Sequence, residues 1–567
     1  MIRNVKSLTE KEFDLVIIGG GIFGICAAWD AVLRGFSVAL VERGDFAHAT
    51  SANCFKMVHG GIRYLQHGDL YRIRESSNER RALLRIAPHL VHPLPIAIPT
   101  YGKGLKGKAL LQAAFWLYEG ITADRNRGIS DPKQHIPAAY FISREECIER
   151  FPGVKQKGLT GAAIFYDGQM RDPARLALSF LKSACEAGVR AANYVEAIDF
   201  LQKDRRFYGV KVQDRLGGET FDVRGRLVIN AAGPWANRFL FHSVKLELNP
   251  SPSFSRDTSF VVNRRLINDC GLAVSCRTQD PDALLSRGAR HLFLVPWRNV
   301  TLVGVWHVVY EGHPDQLTIG YEELRCFLDE INEAYPTAEL TEEDISQFYT
   351  GLVLFGANTP QSINLSYGKR SMLVDHKKQN GLDGLITLVG VRYTTARGVA
   401  ERAIDLASKK LNKKVGRSYT SETPIDGGDF ESFENLLSRA KQELSLDLPE
   451  NILIALLHRH GTRYKDVLHY VEELKDLAVT LGQSDVIKAE VVYCIQEEMA
   501  MKLEDVIFRR TGLGTATHPG EEVLTECSKV MASALGWDET RRHQEIEGVN
   551  AYFRKPVIKR SKDQKNI

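Results

Sequence analysis

Residues 13–24 read FDLVIIGGGIFG, and the order of their parts decides the fold. The apolar run from Leu15 to Ile18 reads as a buried strand that the glycines end. Residues 25–34 continue in a helical pattern that Gly35 stops, and residues 36–41 form a second apolar run ending at Glu42. Strand, turn, helix and strand make one βαβ unit. Gly19, Gly21 and Gly24 occupy its turn as G-x-G-x-x-G. The first glycine permits the tight turn, the second lets backbone approach a pyrophosphate, and the third lets helix and strand pack closely. The helix N-terminus offers free N–H groups and a dipole to that anion. Glu42, about 20 residues on, accepts hydrogen bonds from a ribose diol and repels a 2′-phosphate. The pattern predicts a bound dinucleotide; the competing reading is a glycine-rich turn without a ligand.

Outward from this unit, the periodicity predicts helices over residues 72–90, 105–121 and 173–188, the last with Asp172 as N-cap. The prolines of residues 93–99 are expected to break regular structure. Buried strands are expected at 227–232 and 385–389, and antiparallel strands at 260–262, 291–295 and 301–305, before a helix over 395–411. From about residue 420 to 553 helical periodicity dominates and marks a separate unit. Residues 554–567 are basic and polar and are expected to be disordered.

The chain has 567 residues, 44% of them hydrophobic, enough for several cores. A net charge of +4, with no basic stripe carrying interleaved aromatics, gives no reason to expect nucleic acid. Nine cysteines without a C-x-x-C pair read as reduced thiols. The opening MIRNVKSLTEKEFD has no apolar core of a signal peptide, and no apolar run is long enough to span a bilayer. The expectation is a cytoplasmic protein, with at most peripheral contact on the inner face of a membrane.

The segment after Glu42 separates the dinucleotide classes. Residues 49–68, ATSANCFKMVHGGIRYLQHG, are polar and glycine-bearing where a nicotinamide enzyme would continue with regular βα units. This stretch resembles the signature T-S-x-x-S-x-K-x-x-H-G-G-x-R-Y-L of FAD-dependent glycerol-3-phosphate dehydrogenases, within the amino-acid-oxidase-like flavoproteins. Residues 230–235 (NAAGPW), 295–297 (VPW) and 390–395 (GVRYTT) are similar to further family motifs. In the last third, 489–493 (AEVVY), 497–500 (EEMA) and the LEDV…RRT of 503–511 resemble the family's C-terminal domain.

The resemblance implies an α/β fold: an FAD-binding Rossmann-like domain (residues 12–100, 160–250 and 350–412), an inserted antiparallel-sheet substrate domain (101–159 and 251–349) and a helical C-terminal domain (420–553). It implies that Gly19, Gly21, Gly24, Glu42 and Arg43 hold the ADP half of FAD, and that Thr50, Ser51 and Lys56 line the pyrophosphate and flavin. Ala232 and Gly233 would admit the adenine-side loop. Gly390, Thr394 and Thr395 would set backbone N–H groups at the flavin's pyrimidine edge, where charge develops on reduction. His59 would handle the proton, because histidine titrates near neutral pH. Arg63, Tyr64 and Arg392 would grip an anionic substrate. The competing readings are a His59 that only packs on the flavin, an Arg63 in a structural ion pair and a Tyr64 in a core.

The implied reaction is oxidation of a secondary alcohol, glycerol 3-phosphate to dihydroxyacetone phosphate, by hydride transfer to flavin. Quinone is the expected electron acceptor, oxygen the second; no metal is expected, and a homo-oligomer is open. Three departures point elsewhere. Val353 stands where the family has an arginine, Val305-Trp306-His307 replaces T-T-D, and Val391-Arg392 replaces Gly-Lys. A less charged hydroxy or amino compound is the alternative substrate, with Trp306 and Val353 making the pocket apolar, or a flavin-bound protein without turnover. Residues 110–118, LLQAAFWLY, with Lys103, Lys106 and Lys108 before them, read as a packed helix or one that dips into a membrane surface.

Overall fold

The computed structural model describes the whole chain except residues 103–107, 280–288, 357, 359–365, 367, 369, 445, 447, 555–556 and 559–567. Two large sheets organise it. In the first, Phe13–Ile18 lies between Val38–Val41 and Thr220–Asn230, with Arg190–Ala192 and Leu385–Val389 outside them, all parallel. Met372–Asp375 closes one edge antiparallel. Parallel strands are covered on both faces and read as unbroken apolar runs, as Phe13–Ile18 and Leu385–Val389 do. The helix Ile22–Leu33 follows the glycine turn and is apolar almost all round. It packs between Pro173–Glu186 and Ala396–Leu411, and Trp29 meets the Phe180 ring edge-on at 5.2 Å. Asp172 caps Pro173–Glu186, its carboxylate accepting from the Ala174 and Arg175 N–H groups.

The second sheet runs Ile345–Leu354, Phe254–Val262, Val300–Tyr310, Ala289–Trp297, Gly271–Gln279, Val91–Tyr101, Leu159–Met170 and Met57–Val58. Two expectations change here. The proline-rich segment is not a break but the strand Val91–Tyr101, paired along its length with Leu159–Met170. Pro93, Pro95 and Pro99 share one phase of the strand, so their missing donors fall on one edge, where pairing with Gly271–Gln279 is confined to Ile96 and Ala97. That strand, Leu159–Met170 and Ile345–Leu354 lie in this second sheet, whereas the sequence reading groups residues 91–100, 160–170 and 350–354 with the FAD-binding unit. The helix expected over 105–121 is Lys108–Ile121; Lys103 and Lys106 lie outside the described residues.

Beyond Ala396–Leu411 the chain is helical: Phe433–Glu443, Glu450–His460, Tyr464–Glu473, Lys488–Glu498, Glu521–Leu535 and Glu539–Arg554, with a π-helical turn at Asp505–Arg510. Most of the expected disordered tail lies outside the described residues, but Val557–Ile558 pairs with Ile319–Gly320. The helical unit is fastened by buried charge. Asp45, on the loop after Glu42, receives Arg509 Nε at 2.6 Å, both Arg510 Nη atoms at 2.6 and 2.9 Å, and Asn193 Nδ2 at 2.9 Å. Arg175 pairs with Glu498 at 2.6 Å.

Four histidines also meet at this seam. His89 comes from the turn before the proline-rich strand and His92 from its start, His458 and His460 from the end of Glu450–His460. The His92 and His458 rings lie 5.5 Å apart, His458 stacks on Phe433 at 4.1 Å, and His460 Nε2 is 2.9 Å from Glu490. Burial, then the charges of Arg175, His92 and His460, holds His89 well below the histidine range. Burial and Arg171 push His92 down to about 3, and the same causes with His92 push His458 to about 2.

Candidate functional site

A cavity of about 660 Å³ opens where the parallel strands end against the second sheet. Its first wall is the glycine turn. Gly19 has φ +104°, and a Cβ there would sit 2.6 Å from the Ala231 carbonyl oxygen. A Cβ on Gly24 would sit 2.0 Å from the Gly19 oxygen, so Gly24 packs helix on strand and does not face the cavity. Glu42 is aimed by two backbone donors, Gly20 N–H to Oε2 at 2.7 Å and Gly44 N–H to Oε1 at 2.8 Å. A carboxylate has about four acceptor sites, so a diol can still be bound. Ser51 Oγ accepts from Ile22 N–H at 3.0 Å and ties the following loop to the helix N-terminus. Arg43 lies 4.4 Å over the Trp235 ring and pairs with Asp315 at 2.5 Å, beside Ala232 and Gly233 on the same wall. A long groove with a glycine cradle at one end and a positioned carboxylate beside it fits a dinucleotide.

At the other end the groove widens into a chamber. Thr50 Oγ1 bonds the backbone of Leu352 at 3.2 Å, Thr394 Oγ1 accepts from His59 N–H at 3.2 Å, and a Cβ on Gly390 would lie 1.9 Å from the Phe23 ring. His59 Nδ1 is 3.2 Å from Asp167 Oδ2, and its side chain is 47% exposed to the chamber. Asp167 also accepts from Gly60 N–H at 2.6 Å and from the fully buried Arg80 at 2.8 Å. Arg63 lines the chamber too. Arg392 Nη1 donates to Tyr64 Oη at 2.6 Å and to Ser76 Oγ at 3.2 Å, and Glu75 lies 3.4 Å from its Nη2. Two guanidinium groups thus lie near the Tyr64 ring, Arg72 at 4.4 Å and Arg392 at 5.0 Å from its centroid.

Some expected residues lie elsewhere. Lys56 does not line the cavity. Its φ of +57° turns the side chain into the protein, where Nζ is 3.2 Å from the centroid of Tyr349 and 4.7 Å from that of Trp297. Burial pushes its pKa down to about 7. Thr395 is also buried behind the wall, its hydroxyl donating to the Arg392 carbonyl at 3.3 Å. Trp306 stacks on Phe327 at 5.2 Å on the far face of the sheet, so it does not make the chamber apolar. Its neighbour His307 faces the cavity instead, 2.8 Å from Asp257, and Val353 lines the same wall. Cys54 lies on the wall with its thiol pushed up by burial. Among the described residues no three His, Cys, Asp or Glu side chains are arranged to hold a metal ion.

The sequence reading missed Asp167, Asp257 and Arg72. Asp167 lies in Leu159–Met170, about a hundred residues from His59, and no local pattern links them. Arg72 was read only as part of a helix; its spacing from Tyr64 across the Gly68 turn was the available signal.

The FAD dependent oxidoreductase family model matches residues 14–404, and the C-terminal domain of alpha-glycerophosphate oxidase matches residues 418–542. The chain is 29% identical to a glycerol-3-phosphate dehydrogenase of Synechocystis over 98% of its own length and 99% of that relative's. It is 30% identical to an aerobic glycerol-3-phosphate dehydrogenase of Staphylococcus aureus over 89% of its length and 88% of the relative's. The solved glycerol-3-phosphate dehydrogenase from Bacillus halodurans, complexed with FAD, shares the fold with a TM-score of 0.77, 23% identity and 98% coverage of both chains. With the groove, the helical unit and these likenesses together, the chain belongs to the FAD-dependent glycerol-3-phosphate dehydrogenase family.

Proposed function

We propose that this chain binds FAD in the groove and oxidises the secondary alcohol of glycerol 3-phosphate to dihydroxyacetone phosphate. The carrying observation is the His59–Asp167 pair, which faces the same chamber as Arg63, Tyr64 and Arg392. Glu42 would hold the ribose diol, the glycine turn the pyrophosphate, and Gly390 and Thr394 the flavin end. FAD, when bound, supplies the hydride acceptor. The protein's part is the proton and the anion. Asp167 takes the Nδ1 side of His59, which leaves Nε2 to receive the hydroxyl proton. Arg63, with Arg392 aimed by Tyr64 and Ser76, holds the phosphate and orients the carbinol carbon.

The test is an anaerobic mix of the yellow holoprotein with glycerol 3-phosphate, following the flavin's long-wavelength absorbance. Rapid bleaching supports the assignment. No bleaching, in protein that dithionite still reduces, rejects it. A second reading, another hydroxy or amino compound, is favoured by Val353 on the chamber wall in place of the family's arginine. One charge-assisted hydrogen bond is worth about 1.5–3 kcal/mol, so its loss lowers anion affinity by roughly 10- to 150-fold.

Electrons are proposed to leave to a quinone at a membrane surface. No helix among the described residues is long and apolar enough to cross a membrane. On Lys108–Ile121, however, Trp116 is 82% and Leu117 55% exposed, while Phe115 and Tyr118 are buried. Flotation with anionic vesicles, lost in Trp116→Glu, would support this contact; equal flotation of both proteins would reject it.

A further inference from the structure

The strand Ala289–Trp297 alternates faces. Leu292 and Leu294 enter the core beneath the helix Tyr321–Ala334. His291 and Phe293 turn the other way, into the chamber. Phe293 meets Phe55 at 6.2 Å and makes an apolar floor with Met57. His291 is the polar break in that floor. It is half-buried and lines the cavity. Arg63 lines the same cavity. The charge of Arg63 acts on the imidazole and, after burial, is the second cause that pushes its pKa down to about 4. The ring therefore stays neutral across the working range. Of its two nitrogens, one is a donor and the other an acceptor.

A neutral imidazole beside a guanidinium has a specific use. A protonated histidine there would repel Arg63 and bring a second buried charge that costs solvation. A neutral ring adds a hydrogen-bond donor to an anion that Arg63 has already attracted. It does so without changing the charge of the chamber. His291 puts a polar ring on a strand face whose neighbour Phe293 is apolar, and that ring can meet solvent or a polar ligand in the cavity.

We propose that His291 is a specificity-determining residue that works with Arg63 to bind the anionic end of the substrate. The proposal rests on reading the chamber as the site of an anionic substrate, and it assigns that anion a contact from the floor strand. The proton step stays with His59.

The test uses oxidised holoenzyme and inorganic phosphate, with perturbation of the flavin absorbance as the binding readout. Two variants are compared with the natural protein. His291→Ala removes the ring into space that is already cavity. His291→Gln keeps an amide donor at similar reach. The expected result is a dissociation constant for phosphate about tenfold higher or more in His291→Ala, restored to within about threefold in His291→Gln. With glycerol 3-phosphate the same ranking should appear in KM, with kcat changed less than threefold.

Phosphate binding that is equal in the natural protein and His291→Ala overturns the proposal. So does a natural protein whose flavin does not respond to phosphate at all. If His291→Ala does not load flavin, His291→Gln is compared with His291→Leu, and equal phosphate affinity again overturns it. Failure of glycerol 3-phosphate to bleach the flavin would sink the assignment of substrate. It would leave this test intact, because phosphate binding needs no turnover.

Discussion

Acid should loosen the seam between the two units before it unfolds either sheet. The folded protein holds His89 neutral by burial, and His92 and His458 down at about 3 and 2. In the unfolded chain these rings titrate at about 6.5. The unfolded state therefore binds more protons below that pH, and stability falls as pH falls. The stabilisation is complete above about pH 6.5. Each fully suppressed protonation costs about 1.4 kcal/mol per pH unit below it. His89 is completely buried and carries the full slope, about 2.7 kcal/mol by pH 4.5. His92 and His458 are half-buried and add part of that each, for a loss of about 3–6 kcal/mol. This is a large share of the 5–15 kcal/mol typical of a domain. Glu490 and Glu498, both held down at about 2 by arginines against the opposing effect of burial, stay ionised when folded and add to the loss only near pH 4.5, where the unfolded carboxylates begin to take up protons. Urea unfolding followed by circular dichroism at half-unit steps from pH 7.5 to 4.5 measures the slope. His89→Gln should reduce it by close to one proton. A midpoint that does not move between pH 7 and 5, or an unchanged slope in His89→Gln, would refute the reasoning.

Three further outcomes follow from the site. His59→Asn should lower the rate of flavin reduction by about 10²–10⁴-fold while flavin content stays unchanged, measured by stopped-flow absorbance. Gly24→Ala should yield protein without flavin, because its Cβ would lie 2.0 Å from the Gly19 carbonyl oxygen; normal flavin content would contradict this geometry. Lys56→Met should load FAD normally, because Lys56 packs under Tyr349 and Trp297 and not on the groove; loss of flavin in a folded variant would restore it to the cofactor site.

What could be read without coordinates is local. The βαβ unit is legible because Gly19, Gly21 and Gly24 each meet a backbone constraint inside a dozen residues, and Asp172 is legible because a cap acts over three. Side-chain direction is less so. Trp306 and His307 are neighbours on a strand, and sequence alone does not say which of the two faces the chamber. Lys56 fell on the wrong side because one left-handed residue redirects a side chain that motif spacing places beside the flavin. The proline-rich strand was misread because three prolines argue for a break until their shared edge is known. Asp167 was invisible because only the pairing of Leu159–Met170 with Met57–Val58 and Val91–Tyr101 carries it to His59.

Asp45 bears on how such a protein can be rebuilt. It sits three residues after Glu42, and its carboxylate is buried against Arg509 and Arg510 of the helical unit. A gene fragment ending near residue 412 would leave this carboxylate without its counter-charges, at a cost of about 3–5 kcal/mol beside the nucleotide loop. Shuffled or shortened versions of this chain thus inherit a hidden dependency. The flavin-binding part is not a portable cassette, and a transplant has to carry the arginine pair with it or neutralise Asp45 as it moves.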